Sequence, residues 1–460
     1  MGKFIDKKLL ITPLMLAFVA VTACSTVGER FKLPSFGNKG EAAKKKDDGR
    51  IAILTADEEL KPDEGLAAVG ASAPPSLPLT SWSNASGNPN ATIENITGDG
   101  SLSIAWKKKL GAGANKSVGL IGQPLIADNK IMLLDASLTL HAYSADGQKK
   151  LWSVSLGEPK KKGWFKSQTK ATAGGIGYEN GVIVAASGFG EIIGIDATNG
   201  KIMWRLVTDA PVHSSPLVAN GRAYAVSVTS QLYAIDDKTG ELVWTQSGLT
   251  ESARVLSSSS SVIQGDTLIT PFSSGEVVAS LTANGRRLWN ESLSRVTGGN
   301  SLASINDIAG HPVINDGAVY AVSQSGLLAA IDLRSGVKTW DKSISSIQSP
   351  WVAGAYVYVV SVDAELYCLE KSSGRIVWMT QLDRFKNAKK KKGKIVWTGP
   401  VMVEGHLVLA SSEGEIVEVN PTKGEIVNKI KGKEEFLIAP SVADGTVYFL
   451  ANDGTMVSLK

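Results

Sequence analysis

The side chains that most often bind metals or act as nucleophiles are sparse in this 460-residue chain. None of its four histidines has a second histidine or a cysteine at the spacing of a metal site. No Gly-x-Ser-x-Gly nucleophile elbow with plausible partner residues occurs. The run at 174–177 is rich in glycine, but it opens a predicted strand rather than a helix, so a phosphate-binding loop is not indicated. The sequence therefore predicts no catalytic residue, no metal site and no cofactor. The histidines are His141, His213, His311 and His406.

The two cysteines, Cys24 and Cys368, are fewer than a secreted protein stabilised by disulfides normally has. Cys368 lies in an apolar predicted strand at 365–369, which indicates a buried, unreactive thiol. Cys24 has a different setting, because it ends the N-terminal segment. Each cysteine therefore needs its own interpretation.

The first 24 residues have the three-part pattern of an export signal. Lysines at 3, 7 and 8 precede an almost entirely apolar stretch at 9–20, and small residues lead into Cys24. The apolar stretch is too short to indicate a membrane-spanning helix. The cysteine at the cleavage point resembles a lipobox, in which the thiol is acylated and becomes the new N-terminus. An ordinary signal peptide with a chance cysteine is the alternative.

The residues after the cysteine predict where the chain is held and how. In the lipoprotein pattern, aspartate after the cysteine usually retains a protein at the inner membrane, so Ser25 favours the periplasmic face of the outer membrane. The following segment has a lysine–aspartate run, a proline-rich stretch and little apolar periodicity, which indicates a tether that does not fold alone. We expect a signal peptide at 1–23, a flexible tether at 24–80 and a folded domain at 81–460.

An internal repeat defines the folded domain. The clearest unit, at 213–244, has four short apolar strands separated by three turns with Gly, Asn, Asp and Thr, and it ends in tryptophan. The same unit recurs, with neighbouring tryptophans 38 to 52 positions apart. Asn428 occupies the eighth such place. The tryptophans that close the repeats are Trp106, Trp152, Trp204, Trp244, Trp289, Trp340 and Trp378.

Four strands repeated at this period predict an all-β, eight-bladed propeller with four antiparallel strands per blade. The C-terminal residues 439–460 supply three strands without a closing one, and residues 101–106 supply a closing strand with nothing before it. We expect the two termini to share the eighth blade. The repeated tryptophans are predicted to pack between blades. An aromatic binding stripe is the alternative, but the tryptophans would then lie around the ring rather than in one site.

Charged residues give two further expectations. Asp196, Asp236 and Asp332 recur at one turn position, which indicates side chains that cap backbone amides rather than a catalytic pair. Two lysine-rich insertions, at 160–166 and 384–394, each follow a closing tryptophan strand and should lie between blades. They are either solvated loops or contacts for acidic lipid headgroups or an acidic protein surface. The net charge of +4 and the export signal argue against nucleic acid as a partner.

The pattern Ala-Ile-Asp-x-x-Thr-Gly-x-x-x-Trp at 234–244 resembles the propeller of quinone-dependent alcohol dehydrogenases. Within that superfamily, the lipobox and the stretches at 151–156, 163–165 and 328–336 resemble the BamB family of outer-membrane protein assembly factors. The resemblance extends from about residue 80 to the C-terminus. It implies a scaffold without enzyme activity that binds the periplasmic domains of the central barrel subunit of the β-barrel assembly machinery and assists insertion of outer-membrane client proteins.

The family resemblance also implies partner-binding residues. In the family, a loop with leucine and arginine and a nearby pair of aspartates make much of the contact. Leu249 matches the start of the loop motif, Asp307 matches the first aspartate, and Arg254 is a substitute for the arginine from a shifted position. The chain departs from the pattern at Glu251, Ser252 and Ala309.

Two other functions compete with the scaffold. A quinone-dependent dehydrogenase would need a calcium site, a quinone pocket and, in the best-known relatives, a disulfide between adjacent cysteines, which this sequence lacks. A binder of wall polysaccharide is the third hypothesis, for which the sequence offers little.

Overall fold

The computed structural model describes residues 60–100, 102–157, 172–251, 259–294 and 306–460. These residues form eight antiparallel four-stranded sheets, a two-stranded hairpin and one short helix. The eight sheets are arranged as a propeller, so the predicted fold class is confirmed. Cys24, Arg254 and the insertion at 160–166 lie outside the described residues.

We number the blades in chain order and their strands in the order in which they pair. Blade 1 contains Leu125–Ala127, Lys130–Leu134, Thr139–Ser144 and Lys150–Ser155. Blade 2 contains Ala173–Glu179, Val182–Ser187, Glu191–Asp196 and Ile202–Val207. Blade 3 contains Leu217–Ala219, Arg222–Val226, Gln231–Asp236 and Leu242–Ser247. Blade 4 contains Val262–Gln264, Thr267–Pro271, Glu276–Leu281 and Arg287–Ser292.

The second half of the ring repeats this arrangement. Blade 5 contains Val313–Asn315, Ala318–Val322, Leu328–Asp332 and Lys338–Lys342. Blade 6 contains Trp351–Ala353, Tyr356–Val360, Glu365–Glu370 and Ile376–Gln381. Blade 7 contains Trp397–Val403, His406–Ser411, Glu415–Val419 and Ile426–Lys431. Blade 8 contains Ser441–Ala443, Thr446–Leu450, Thr455–Leu459 and Ile104–Lys109. The helix is Glu64–Val69, and the hairpin between blades 6 and 7 is Phe385–Asn387 with Lys392–Lys394.

Both ends of the chain meet in blade 8. Ile104–Lys109 pairs antiparallel with Thr455–Leu459. The pairing continues beyond the strands, because the backbone N–H of Ser103 donates to the Lys460 carbonyl at 2.8 Å and the N–H of Lys460 donates back at 3.0 Å. The predicted closure is confirmed, and it leaves the ring without an open end.

The tryptophans that end the repeats contact the next blade. The Trp244 Nε1–H of blade 3 donates to the Thr282 carbonyl of blade 4 at 2.9 Å. A Cβ added to Gly285 in the same blade 4 turn would lie 2.5 Å from the Trp244 ring, so only glycine fits beneath it. An equivalent donation to the following blade is made by Trp152, Trp204, Trp289, Trp340 and Trp378.

Polar groups replace the tryptophan between blades 7 and 8. The Asn428 amide donates to Glu418 Oε1 at 2.5 Å and to the Leu102 carbonyl at 3.2 Å. The same Glu418 oxygen accepts the backbone N–H of Leu102 at 3.1 Å. The sequence predicted Asn428 as the eighth position of the repeat but not this buried carboxylate.

Turns and connections define two faces of the disk. The connection face is the side of the disk that carries the connections between successive blades and the turns between second and third strands. The turn face carries the other turns, such as Asn220–Gly221 between the first two strands of blade 3. Both residues there have positive φ, of 56° and 74°, as a two-residue hairpin turn requires. On the same face, Asp236 accepts the N–H groups of Thr239 and Lys238, and these bonds lower the pKa of its carboxyl.

A segment that the sequence shows only as irregular lies across the centre of the turn face. Residues 79–96, which we call the mouth segment, contact the first strand or its turn in every blade. Trp82 is an example, since its backbone exchanges two hydrogen bonds of 2.7 and 3.0 Å with Ile126 of blade 1. One residue from each of blades 2 to 8 that bonds to the segment is, in order, Tyr178, Val218, Ile263, Asn315, Trp351, Met402 and Asp444.

Residues 60–76, which the sequence predicts as part of the tether, lie against blades 6 and 7. The Asp63 N–H donates to the Ile376 carbonyl at 2.8 Å, and the Ala71 N–H donates to the Thr422 carbonyl at 3.0 Å. The helix Glu64–Val69 packs on the fourth strand of blade 6. These residues form no core of their own, so their apolar pattern is weak. Within the part of the chain that the structure describes, no helix is long and apolar enough to cross a bilayer.

Candidate partner-binding face

Leu249 stands on the connection face, just after the fourth strand of blade 3. Its side chain is 65% exposed. Its backbone is nevertheless fixed, because the Leu249 N–H donates to Glu276 Oε2 of blade 4 at 3.2 Å and the neighbouring Gly248 N–H donates to the Ser230 carbonyl at 2.8 Å. An apolar side chain is thus held in solvent on a rigid backbone, which is the arrangement of an anchor for a protein partner.

Glu276 is the residue that positions Leu249, and no sequence pattern indicates this role. It begins the third strand of blade 4 and is buried. Its Oε2 atom also accepts the Ser274 hydroxyl at 3.0 Å, and its Oε1 atom accepts the Asn290 amide at 3.5 Å. The repeat gave no signal for this role, because the third strands of blades 2, 6 and 7 also begin with glutamate.

Asp307 lies on the other side of the same blade 4 turn. It precedes the first strand of blade 5, and its carbonyl accepts the Gln324 N–H at 3.0 Å. A Cβ added to Gly275 would lie 2.8 Å from the carbonyl oxygen of Asn306, so this connection packs directly on the blade 4 turn. The structure therefore brings Leu249 and Asp307 to opposite sides of the turn at 272–275. Asp307 is buried, at 7% exposed, unlike Leu249.

Hydroxyl groups line the cleft beside these residues. The cleft has a volume of about 60 Å³, and seven of its lining residues are serines from the connection face of blades 3 and 4. Ser230 and Ser273, with hydroxyl oxygens 3.3 Å apart, come from the two blades. A space of this size suits water molecules rather than an organic substrate. The serines are dispersed in sequence, so only the fold reveals the cleft.

The described residues cover only part of the predicted partner loop. Glu251 is half-buried at the end of a described range, and Ser252 and Arg254 lie outside. Ala309, which replaces the second aspartate of the family, is buried at 5% exposed. That position therefore offers no charge to a partner.

The centre of the ring is the place where the fold would hold a quinone cofactor. A cavity of about 50 Å³ lies there beneath the mouth segment, between Trp82, Gln123 and His311. No carboxylate lines it, and the part of the chain that the structure describes holds no cluster of three histidine, cysteine or acidic residues able to bind a metal. A calcium ion prefers several oxygen ligands, so the residues present do not fit a calcium–quinone site.

Three polar atoms in this cavity have no hydrogen-bond partner among the residues that the structure describes: Trp82 Nε1, Gln123 Oε1 and His311 Nδ1. Their number and the cavity volume suit a few bound water molecules. Burial lowers the pKa of His311 to about 4, so its ring is neutral near neutral pH. Cys368 is also buried, and burial raises the pKa of its thiol, so it stays protonated.

Fold and site together define a class: a closed eight-bladed propeller with an exposed leucine, Leu249, on its connection face. The chain matches the family profile described as Outer membrane protein assembly factor BamB over residues 136–380 and 381–460, and it belongs to that family. The family resemblance drawn from the sequence is thus confirmed.

Individual relatives agree with this assignment. The chain is 28% identical over 362 residues to the outer membrane protein assembly factor BamB of Salmonella typhimurium, covering 77% of this chain and 88% of that one. It is 28% identical over 380 residues to the protein of the same name from Escherichia coli, covering 81% and 91%.

Solved structures show the same fold at lower identity. The crystal structure of BamB from Moraxella catarrhalis has a TM-score of 0.65 and 17% identity, covering 78% of this chain and 100% of that one. A europium-containing methanol dehydrogenase has a TM-score of 0.63 and 13% identity, covering 83% and 98%. At these identities the likeness concerns the fold alone.

Proposed function

We propose that this chain is an outer-membrane protein assembly factor that acts as a scaffold and not as an enzyme. In this proposal it is held by a lipid at the periplasmic face of the outer membrane and binds the periplasmic domains of the central subunit of the barrel-assembly machinery. Membership of a family with this printed name supports the proposal. The single observation that carries it is the exposed Leu249 side chain on a backbone fixed by Glu276.

The geometry explains how a rigid disk would bind without large ordering costs. The Leu249 backbone is already held by blade 4, so binding need not immobilise a loose loop. Asp307 is held on the far side of the same turn, so the two residues keep a constant spacing. An apolar pocket on the partner would take the leucine, and the hydroxyl-lined cleft would accept polar backbone groups beside it.

The lipid anchor is a separate part of the proposal. Acylation of Cys24 would hold the chain in the membrane, because each buried CH₂ of an acyl chain contributes about 0.8 kcal/mol. We expect Cys24→Ala to move the protein from the membrane fraction to the soluble periplasm, measured by fractionation and immunoblot. Retention of the variant in the membrane would argue against acylation at this residue.

Co-purification tests the scaffold role. We expect the tagged chain, extracted from membranes with mild detergent, to bring the central barrel subunit with it, and we expect Leu249→Asp to reduce that recovery strongly. Leu242→Asp is a matched control, because Leu242 is also an exposed leucine, at 49%, but begins the fourth strand of blade 3 on the turn face. Recovery of the wild-type chain without any barrel-assembly subunit would contradict the proposal.

The fold likeness to methanol dehydrogenase makes a quinone-dependent enzyme the second candidate. Adding pyrroloquinoline quinone and calcium, and then following cofactor absorbance and alcohol-dependent dye reduction, tests it directly. The described residues that line the cavity beneath Trp82 include no carboxylate for calcium, so we expect no turnover. Clear turnover would contradict the scaffold as the sole function.

A further inference from the structure

A lysine-rich hairpin projects from the connection between blades 6 and 7. Its two strands, Phe385–Asn387 and Lys392–Lys394, form a separate sheet that pairs with no blade. Every residue from 386 to 394 is exposed. Neither the propeller repeat nor the candidate partner-binding face uses this hairpin.

Ion pairs fix the base of the hairpin to the propeller. Arg384 and Lys394 both contact Asp363 of blade 6, at 2.5 and 3.6 Å. Lys386 contacts Glu413 of blade 7 at 2.6 Å. The base is thus tied to both neighbouring blades, and its positive charges are balanced by carboxylates of the fold.

The tip is different, because Lys389, Lys390, Lys391 and Lys392 stand in a row without an ion pair to any residue that the structure describes. Four adjacent ammonium groups repel one another, and an external anionic surface relieves that repulsion. The exposed tip has no aromatic or large apolar side chain. Protein interfaces depend on such anchors, whereas phosphate headgroups need only charge, so the tip fits a lipid surface better than a protein.

The same sector of the ring holds the point where the N-terminal chain reaches the propeller. The strand Ile376–Gln381 connects the two features. Its first residue accepts the N–H of Asp63, and its last residue leads into the hairpin. A strand of this length spans roughly 17–20 Å. Cys24 lies 36 positions before residue 60, so the part of the chain that would carry the lipid joins the propeller at this edge of the disk.

We propose that the hairpin at 385–394 binds anionic phospholipid headgroups and turns the blade 6–7 edge of the disk toward the membrane. This inference rests on the proposed lipid anchor at Cys24. A lysine close to an anionic membrane surface contributes roughly a fivefold preference. The four tip lysines together would favour the membrane-facing orientation by on the order of several hundredfold at low salt.

The experiment follows the orientation of the intact lipidated chain in vesicles. A fluorophore is placed on Ala388→Cys, which is selective because Cys368 is buried and Cys24 would carry the lipid. The chain is reconstituted into phosphatidylcholine vesicles with or without phosphatidylglycerol, and spin-labelled lipids quench any fluorophore near the bilayer. We expect stronger quenching with phosphatidylglycerol and loss of the difference in high salt. A label on Glu241→Cys, across the ring in blade 3, should show no difference.

Two sets of lysine variants serve as matched tests. Replacing Lys389–Lys392 with glutamine should remove the effect of phosphatidylglycerol. Replacing four other exposed lysines, from the connection before blade 1 and the turns of blades 1 to 3, removes the same charge and should leave the effect intact; they are Lys116, Lys149, Lys201 and Lys238. All these side chains are on the surface, so folding should be unaffected, and circular dichroism checks it.

Each outcome bears on a different part of the inference. Equal quenching in both vesicle types, or unchanged quenching after the four tip substitutions, overturns the hairpin proposal. Cross-linking of the tip to an acidic protein in native membranes, together with no lipid effect, would assign the hairpin to a protein partner instead. Flotation of the same samples distinguishes failure of the lipid anchor from failure of the hairpin proposal. A chain that does not float with vesicles lacks the anchor, whereas a chain that floats without a lipid effect lacks only the hairpin function.

Discussion

Replacing Trp82 with alanine tests whether the mouth segment is part of the folded propeller. Trp82 is 2% exposed and lines the central cavity together with His311, a residue that is distant in the sequence. Truncating a buried tryptophan costs about 3–5 kcal/mol, because apolar contacts are lost and a cavity remains. The two backbone hydrogen bonds to Ile126 do not depend on the side chain, so the loss should stay within that range. Denaturant unfolding measures the free energy of unfolding.

A control on a neighbouring stretch of the same chain makes the result specific. Leu77 comes shortly before the mouth segment but is 68% exposed, so Leu77→Ala should change the free energy of unfolding by less than about 0.5 kcal/mol. If Trp82→Ala loses less than about 1 kcal/mol, the segment does not pack in the ring as described. An equal loss in both variants would show that the effect is not due to burial.

Three other measurements follow from single residues. Leu249→Ala removes an exposed apolar side chain that would contribute about 1–2 kcal/mol when a partner buries it. Calorimetric titration with the partner's periplasmic domains should therefore show roughly 5- to 30-fold weaker binding. Unchanged affinity would show that Leu249 is not an anchor. Burial lowers the pKa of His311 from 6.5 to about 4, so the unfolded chain binds a proton at a higher pH than the folded chain. The free energy of unfolding should therefore fall by up to about 3 kcal/mol as the pH decreases from 6.5 to about 4. His311→Gln should flatten that pH profile, and an unaltered profile refutes the assignment. Gly285→Ala places a Cβ against the Trp244 ring and should lower the free energy of unfolding by about 1–3 kcal/mol more than Gly221→Ala does. Gly221 is the matched control, because its φ is similar and a Cβ there meets open space. Equal losses in the two variants would contradict blade packing through the Gly285 turn.

The blades were predictable from sequence because each repeat carries the same local chemistry. Turn residues such as Asn220 and Gly221 require a particular backbone conformation, and Trp244 marks the last strand of its unit. A signal repeated eight times also fixes the ring and its closure, since the termini hold complementary parts of one blade. Local rules therefore determine this fold to an unusual degree.

The mouth segment was not predictable in the same way. Residues 79–96 make successive hydrogen bonds to different blades, so no periodic pattern marks them. Asn84 shows why, since its side chain bonds both backbone groups of Val218, which lies 134 positions later. Only a completed ring creates that pair of groups.

The candidate site was predictable only in part. Leu249 and Asp307 came from a family resemblance, and the structure adds that one blade 4 turn holds both connections. Glu276 has no distinctive sequence signal, because its bond to Leu249 depends on how blades 3 and 4 pack. The hairpin at 385–394 was predicted as a loop between blades; its strands and the ion pairs at its base depend on carboxylates from two blades.

Photo-cross-linking in cells tests the proposed scaffold role most directly. A photoreactive amino acid replaces Leu249 on the connection face or Asp266 on the turn face of blade 4, both of which are exposed. The scaffold role predicts a cross-link from position 249 to the central barrel subunit and none from position 266. A cross-link from 266 alone, or no cross-link to that subunit from either position, would contradict it.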